Sequence, residues 1–227
     1  MGRGYLLLAV VAVVLIPMAY AAADSITYGL CVEYSGGAEP GGAKPWLWAT
    51  FEDIQVEVGE DEYVDGVKLT MFTGNLVDNE FVSTWAFNLD PDLSIAGLNV
   101  EHCGGVEVGK DKGDNDNISF SENGGKAGPA HGFDIVFSFP TADADRFGRN
   151  ATSCYVFTHD SVGLSVGAFA FQNLGGTFYT AAHVQSIDAA PGSGWVGTCT
   201  GDDPVPEPAT LTLLGVGLAG LILRRRG

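Results

Sequence analysis

Asp111, Asp114, Asn115, Asp116 and Asn117 place five oxygen-bearing side chains within seven residues. Such a run suits Ca2+, which takes roughly six to eight oxygen ligands on a flexible loop. The spacing is not that of an EF-hand. Gly113 stands at the third position, where a ligand belongs, and no glutamate closes the loop at the twelfth. Asp111, Asp114 and Asp116 are therefore the chain's best metal candidates, with an ordinary solvated loop as the simpler reading; no other cofactor is expected. Residues 163–167 read Gly-Leu-Ser-Val-Gly and fit the G-x-S-x-G pattern. That chemistry needs a strand–turn–helix elbow to expose the serine, and no helical pattern follows Gly167, so a turn and a close-packed strand are expected instead. His102, His131, His159 and His183 are scattered, without the H-E-x-x-H spacing of a zinc site. His183, between Ala182 and Val184, reads as a partly buried strand residue bonded to a neighbour. Carboxylates are so abundant that a glycosidase pair could be drawn almost anywhere, so their pattern carries no information. Trp46 and Trp48 would share one face of an extended strand, and Trp195 is expected in a glycine-rich loop. These three are the candidates for stacking against sugar rings, although aromatics at period two more often belong to a core.

The elements that would position these residues are strands. Ile54, Val56 and Val58 alternate with Asp53, Gln55 and Glu57, and Val67, Leu69 and Met71 alternate with Lys68 and Thr70. Phe81, Trp85, Phe87 and Leu89 form a third such row, and Phe133, Ile135, Phe137 and Phe139 a fourth. Shorter runs at 26–34, 93–100, 154–158, 166–172 and 178–187 bring the expectation to about nine or ten strands. Turn clusters at 35–37, 122–125 and 173–176 separate them. The pattern predicts an all-β domain, an antiparallel β-sandwich with a jelly-roll order left open. Residues 35–45 and 104–130 are expected to be long loops and 191–194 a shorter one, the usual places for binding residues on a rigid scaffold. No repeat at a fixed period is evident, which disfavours a solenoid or propeller.

The chain has 227 residues, with 28 acidic against 11 basic side chains. Arg3 and Arg224, Arg225 and Arg226 lie in the terminal segments, so residues 24–208 keep seven basic residues against all 28 acidic ones, a net charge of −21. That surface excludes nucleic acid as a partner and keeps an exported protein soluble. Cys31, Cys103, Cys154 and Cys199 are widely spaced and form no C-x-x-C. Two disulfides are the expected outcome outside the cytoplasm. Three connectivities are open; Cys31 with Cys199 and Cys103 with Cys154 is the preferred guess.

Both ends read as addresses. Met1, Gly2 and Arg3 precede an apolar run at 5–16, and small residues follow Pro17, a signal peptide cut after Ala21 or Ala23. At the other end Pro206-Glu207-Pro208 precedes an apolar stretch and then Arg224, Arg225 and Arg226. Residues 211–223 make thirteen positions, about 20 Å of helix, marginal against a hydrocarbon core of roughly 30 Å. The arginines would stay cytoplasmic and leave everything before Pro206 on the far side. The expected organisation is a signal peptide at 1–23, a β-sandwich at 24–203 and a hydrophobic sorting helix with its flanks at 204–227.

Together, Pro206, Glu207, Pro208, the apolar segment and the arginine cluster resemble the PEP-CTERM sorting signal of Gram-negative bacteria that make exopolysaccharide. Phrases at 80–91, 132–137, 181–185 and 192–195 are also similar to proteins that carry this tail, and no catalytic residue comes with them. The resemblance implies transient anchoring in the inner membrane through the C-terminal helix, processing at the motif by an exosortase, and release or attachment at the surface. The resulting expectation is an exported, non-catalytic cell-surface or matrix protein associated with exopolysaccharide. The alternative is a calcium-assisted carbohydrate-binding module. A polysaccharide-cleaving enzyme is the weakest reading.

Overall fold

Leu47, Ala49 and Phe51 are buried, while Trp48, Thr50 and Glu52 are less so, which turns one face of an extended segment toward a core. In the computed structural model, which describes residues 24–109, 117–188 and 192–199, that segment is strand β2 (Leu47–Gly59). Strand β1 (Ser25–Glu33) precedes it. β3 (Glu62–Phe72), β4 (Phe81–Phe87), β5 (Leu98–Gly105), β6 (Ile118–Ala127) and β7 (Ala130–Ser138) follow. The short β8 (Phe147–Gly148) then leads to β9 (Thr152–His159), β10 (Thr180–Gln185) and β11 (Ser193–Thr198). Two 3-10 turns, Ile95–Gly97 and Val166–Phe169, are the helical elements among the described residues. The all-β expectation holds.

All strand pairs are antiparallel, in the order β5-β9-β3-β2-β1-β11-β10-β4-β7-β6, with β8 beside β4. The expectation was a two-sheet sandwich. Strand pairing runs on without a break instead, because β1 carries β2 on one edge and β11 on the other. The sheet curls, and strands distant in this order meet across its concave side. Phe51 of β2 lies edge-on to Phe87 of β4 at 5.5 Å, and Tyr155 of β9 lies 4.8 Å from Phe137 of β7. Trp85, Phe147, Phe157 and Phe169 fill the space between. Each such ring contributes about 1.5–3 kcal/mol by leaving water.

The chain leaving β5 draws the two ends of the curl together. The Val106 amide donates to Thr152 O at 2.8 Å beside β9, and the Gly109 amide donates to Ser138 O at 3.1 Å at the end of β7. Between them the Val108 amide donates to the Tyr155 hydroxyl at 2.9 Å.

The structure pairs Cys31 with Cys199 and Cys103 with Cys154, each with Cα atoms 5.1 Å apart. Bulges set both crosslinks. The β1–β11 register slips between Leu30 and Val32 and that of β5–β9 between His102 and Gly104, so Cys31 and Cys103 are the extra residues.

Several elements differ from the sequence reading. The expected loop at 104–130 contains β6, an edge strand whose residues from Ser119 to Gly124 are all exposed and so show no alternation. The run at 166–172, read as a strand, is instead the 3-10 turn Val166–Phe169, which buries Val166, Ala168 and Phe169 together. The expected loop at 191–194 gives way to β11 from Ser193 onward. The signal peptide and the sorting helix lie outside the described residues. Among those described, no helix is long and apolar enough to cross a membrane.

Candidate functional site

The outward positions of β2 and β3 form an ordered row. Trp48 pairs with Phe72, Thr50 with Thr70 and Glu52 with Lys68. The Trp48 and Phe72 rings stack at 5.9 Å with 29° between their planes, and Phe72 is 37% exposed. Gly29 of β1 pairs with Trp48 on its other side, and the Pro45 ring lies over it, where a Cβ would come within 2.9 Å of Pro45 Cγ. Gly74 lies so close to Phe72 that a Cβ there would collide with the ring. Further along, the Thr50 hydroxyl is 2.9 Å from that of Thr27, and Lys68 Nζ is 2.7 Å from a Glu52 carboxylate oxygen. Alternate residues of a strand stand about 6.6 Å apart, so the row extends about 13 Å. A stacked aromatic pair, of which Phe72 is the more exposed ring, three hydroxyls and an ion pair lie along one face of the sheet. An apolar ring surface next to hydrogen-bonding groups suits a flat, hydroxylated ligand.

The three tryptophans have separate positions. Trp46 precedes β2 and is 1% exposed; its indole N–H donates to Gly42 O at 2.9 Å, and Lys44 Nζ lies 4.6 Å above the ring. It is a core residue, which corrects its selection as a ligand contact. The expected shared face with Trp48 fails because Trp46 and Leu47 are both buried where the strand begins. Trp195 is on β11, not in a loop. Its ring stacks on His183 at 4.8 Å, and Gly128 at the β6–β7 turn lies against its pyrrole side, where a Cβ would come within 2.5 Å of Cδ1. Packing occupies this tryptophan, which corrects the expectation of a free platform. Trp48 is part-buried on the outward side of β2, and Phe72, the more exposed ring stacked on it, is the partner the sequence reading passed over. The signal for it was available: with Val67, Leu69 and Met71 inward, Phe72 falls outward.

His183 behaves as a bonded strand residue. Its Nδ1 is 3.0 Å from Ser83 Oγ and 3.3 Å from Gln185 Nε2, and the Gln185 amide also donates to Ser83 Oγ at 3.0 Å. Burial holds its imidazole below the usual histidine pKa. The other histidines stand on different strands, His102 on β5, His131 on β7 and His159 on β9. Ser165 is exposed just before the 3-10 turn Val166–Phe169, and the hydrogen bonds of His159 and His183 go to Ser94, Ser161, Ser83 and Gln185.

A cleft of about 810 Å3 is lined by Asp78, Glu80, Phe81, Arg146, Arg149 and Asp188 among others. Arg146 stacks 4.3 Å above Phe81 and pairs with Asp143 at 2.8 Å. Glu80, 3% exposed, accepts the Gly41 amide at 2.7 Å and the Val77 amide at 2.9 Å. Its carboxylate therefore ties two loops together and is already engaged. Among the described residues no three His, Cys, Asp or Glu side chains gather as a metal site. Asp111, Asp114 and Asp116 lie outside the described residues.

The remaining candidates are in the tail. Pro206, Glu207, Pro208, Arg224, Arg225 and Arg226 all fall within the segment 204–226, which matches a known family pattern. It is a PEP-CTERM protein-sorting motif. The PEP-CTERM motif implies export, sorting through a C-terminal signal to the cell surface or extracellular space, and processing by an exosortase. It begins five positions after Cys199, the residue that follows β11. No curated protein and no solved structure matches the chain.

Proposed function

We propose that this is a non-catalytic surface protein whose β-domain is held outside the cell through its processed C-terminus and associates there with extracellular polysaccharide. The observation that carries this reading is the PEP-CTERM motif placed directly after a disulfide-locked β-domain. The row from Trp48 and Phe72 to Glu52 and Lys68 is the contact surface on this reading. Sugar rings would lie on the aromatic pair, with hydroxyl groups meeting Thr50, Thr70 and the ion pair. No resident cofactor takes part.

The test is co-sedimentation of the full chain with the host's own extracellular polysaccharide, alongside fractionation of cells into envelope and medium. Wild-type protein should partition with the envelope and sediment with the polymer, while Trp48→Ala/Phe72→Ala should be exported equally and lose sedimentation. Equal sedimentation of the double variant would remove the row as the contact surface. Release of reducing ends from the polymer by purified protein would overturn the non-catalytic reading.

A further inference from the structure

We infer that the Cys31–Cys199 disulfide is a force-bearing junction that carries tension from the C-terminal tether into the middle of the sheet. This rests on the reading above, that the tail holds the domain at the surface.

The position of the tether makes such a junction necessary. β11 has six residues and ends at Thr198, and the sorting motif begins at 204. Pulling on the tail loads β11 from its very end. Strand bonds loaded from an end fail one after another, and each backbone hydrogen bond is worth only about 1 kcal/mol net. The first bond in line is the Cys199 amide to Gly29 O at 3.0 Å. The disulfide lies at that same residue and takes the load by covalent linkage.

Its other end is well chosen. Cys31 is interior to β1, not terminal. On one side of it, Ser25 through Leu30 pair with β2; on the other, Val32 and Glu33 pair with β11. A pull delivered to Cys31 is therefore shared among bonds on both sides. From β1 the load enters β2 and β3, which pair from Trp48↔Phe72 to Gly59↔Glu62. Gly29 pairs with Trp48, and Trp48 with Phe72, so a polymer held on the aromatic pair is one strand from the junction. Tension between tether and polymer then crosses neighbouring strands and leaves β4, β7 and β6 unloaded. The Cys103–Cys154 bond staples edge strand β5 to β9, on the far side of β3 from the junction; Cys154 pairs with Thr70 but does not link it to the tether, so this bond serves as an internal control.

The experiment is single-molecule pulling on the full chain between a bio-orthogonal handle at Thr70 and one at the C-terminus. Wild-type protein should resist until β1 and β2 give way, and full extension should then release the 39 residues from 31 to 70, about 130 Å at ~3.4 Å each. Cys31→Ser/Cys199→Ser should show an extra early step of about 20 Å as β11 peels away, and a total release about twofold longer. Cys103→Ser/Cys154→Ser should keep the wild-type first yield. Adding reductant to the tethered wild-type chain after folding probes the same bond without requiring the variant to fold, and should bring in the early step. An early step in oxidised wild-type protein, or a first yield force unaffected by reduction, would overturn the junction. Recovery of all wild-type protein in the medium would remove the tether reading and the junction's role with it. Envelope-bound protein whose first yield is unaffected by reduction would remove the junction alone.

Discussion

One sheet presents two outer faces, and they have opposite fates. Behind β10 and β11 the β6–β7 hairpin folds back, and Phe133, Ala127, Phe178, Ala86 and Ala181 form a second small core. Tyr34 closes it, its ring tilted 31° against Phe178 at 4.4 Å and its hydroxyl donating to Ala127 O at 2.8 Å. Trp195 faces outward there and is covered. Behind β2 and β3 no such hairpin returns among the described residues; Phe72 stays 37% exposed, and Trp48 beside it is part-buried with Gly74 against its ring. An outward aromatic residue is thus a platform or a packing residue according to what crosses over it, and strand periodicity alone does not distinguish the two.

The largest effect should come from the covered face. Phe133→Ala is expected to cost about 3–5 kcal/mol in denaturant unfolding, because the hairpin loses the ring that seats it. A loss below about 1 kcal/mol would mean that the hairpin is not part of the cooperative fold. Next comes Gly128, at φ +58° and against Trp195. Gly128→Ala adds a left-handed strain and a collision, should cost about 1–3 kcal/mol, and should change Trp195 fluorescence. Unchanged stability and emission would show that the turn does not bear on the indole.

A smaller effect concerns acidity on the same face. Burial lowers the pKa of His183 from 6.5, so the folded state favours the neutral ring. The unfolded chain then binds the proton more readily, and stability is retained above about pH 6.5 and falls as pH drops through that value toward the lower folded pKa. His183→Gln should flatten the stability profile in that window. An identical slope in the variant would assign the effect to another group. The smallest effect on stability is expected from the exposed ring of the other face: Phe72→Ala should stay within about 1 kcal/mol of wild type in the same unfolding assay. A cost comparable to that of Phe133→Ala would erase the contrast between the two faces.

Much of this was legible in the sequence because period two speaks plainly where one face is buried and the other wet. β2, β3 and β7 satisfy that condition over part of their length, whereas β4 is buried on both faces and was legible from its aromatic residues. β6 does not satisfy it: as an edge strand rich in glycine and polar residues it has little to bury, and its pairing partner alone defines it. Whether Trp195 was covered depended on a hairpin nearly seventy residues earlier in the chain, a contact that local pattern does not encode. Trp46 misled for a related reason, since burial begins before its strand does. The tail was readable by itself because it is an address in the linear chain and depends on no tertiary contact.

The pairing of β1 with β11 has a further meaning for timing. The sheet's middle is assembled from the strands nearest the two ends of the domain, and the two cysteines that join them are 168 positions apart in the chain. Such distant contacts make folding slow and leave it incomplete until residue 199 is available. A chain threaded outward from its N-terminus would thus complete its domain only as the sorting motif arrives behind it. Maturation of the body and presentation of the address become nearly one event, so a truncated product that lacks a finished sheet also lacks the address.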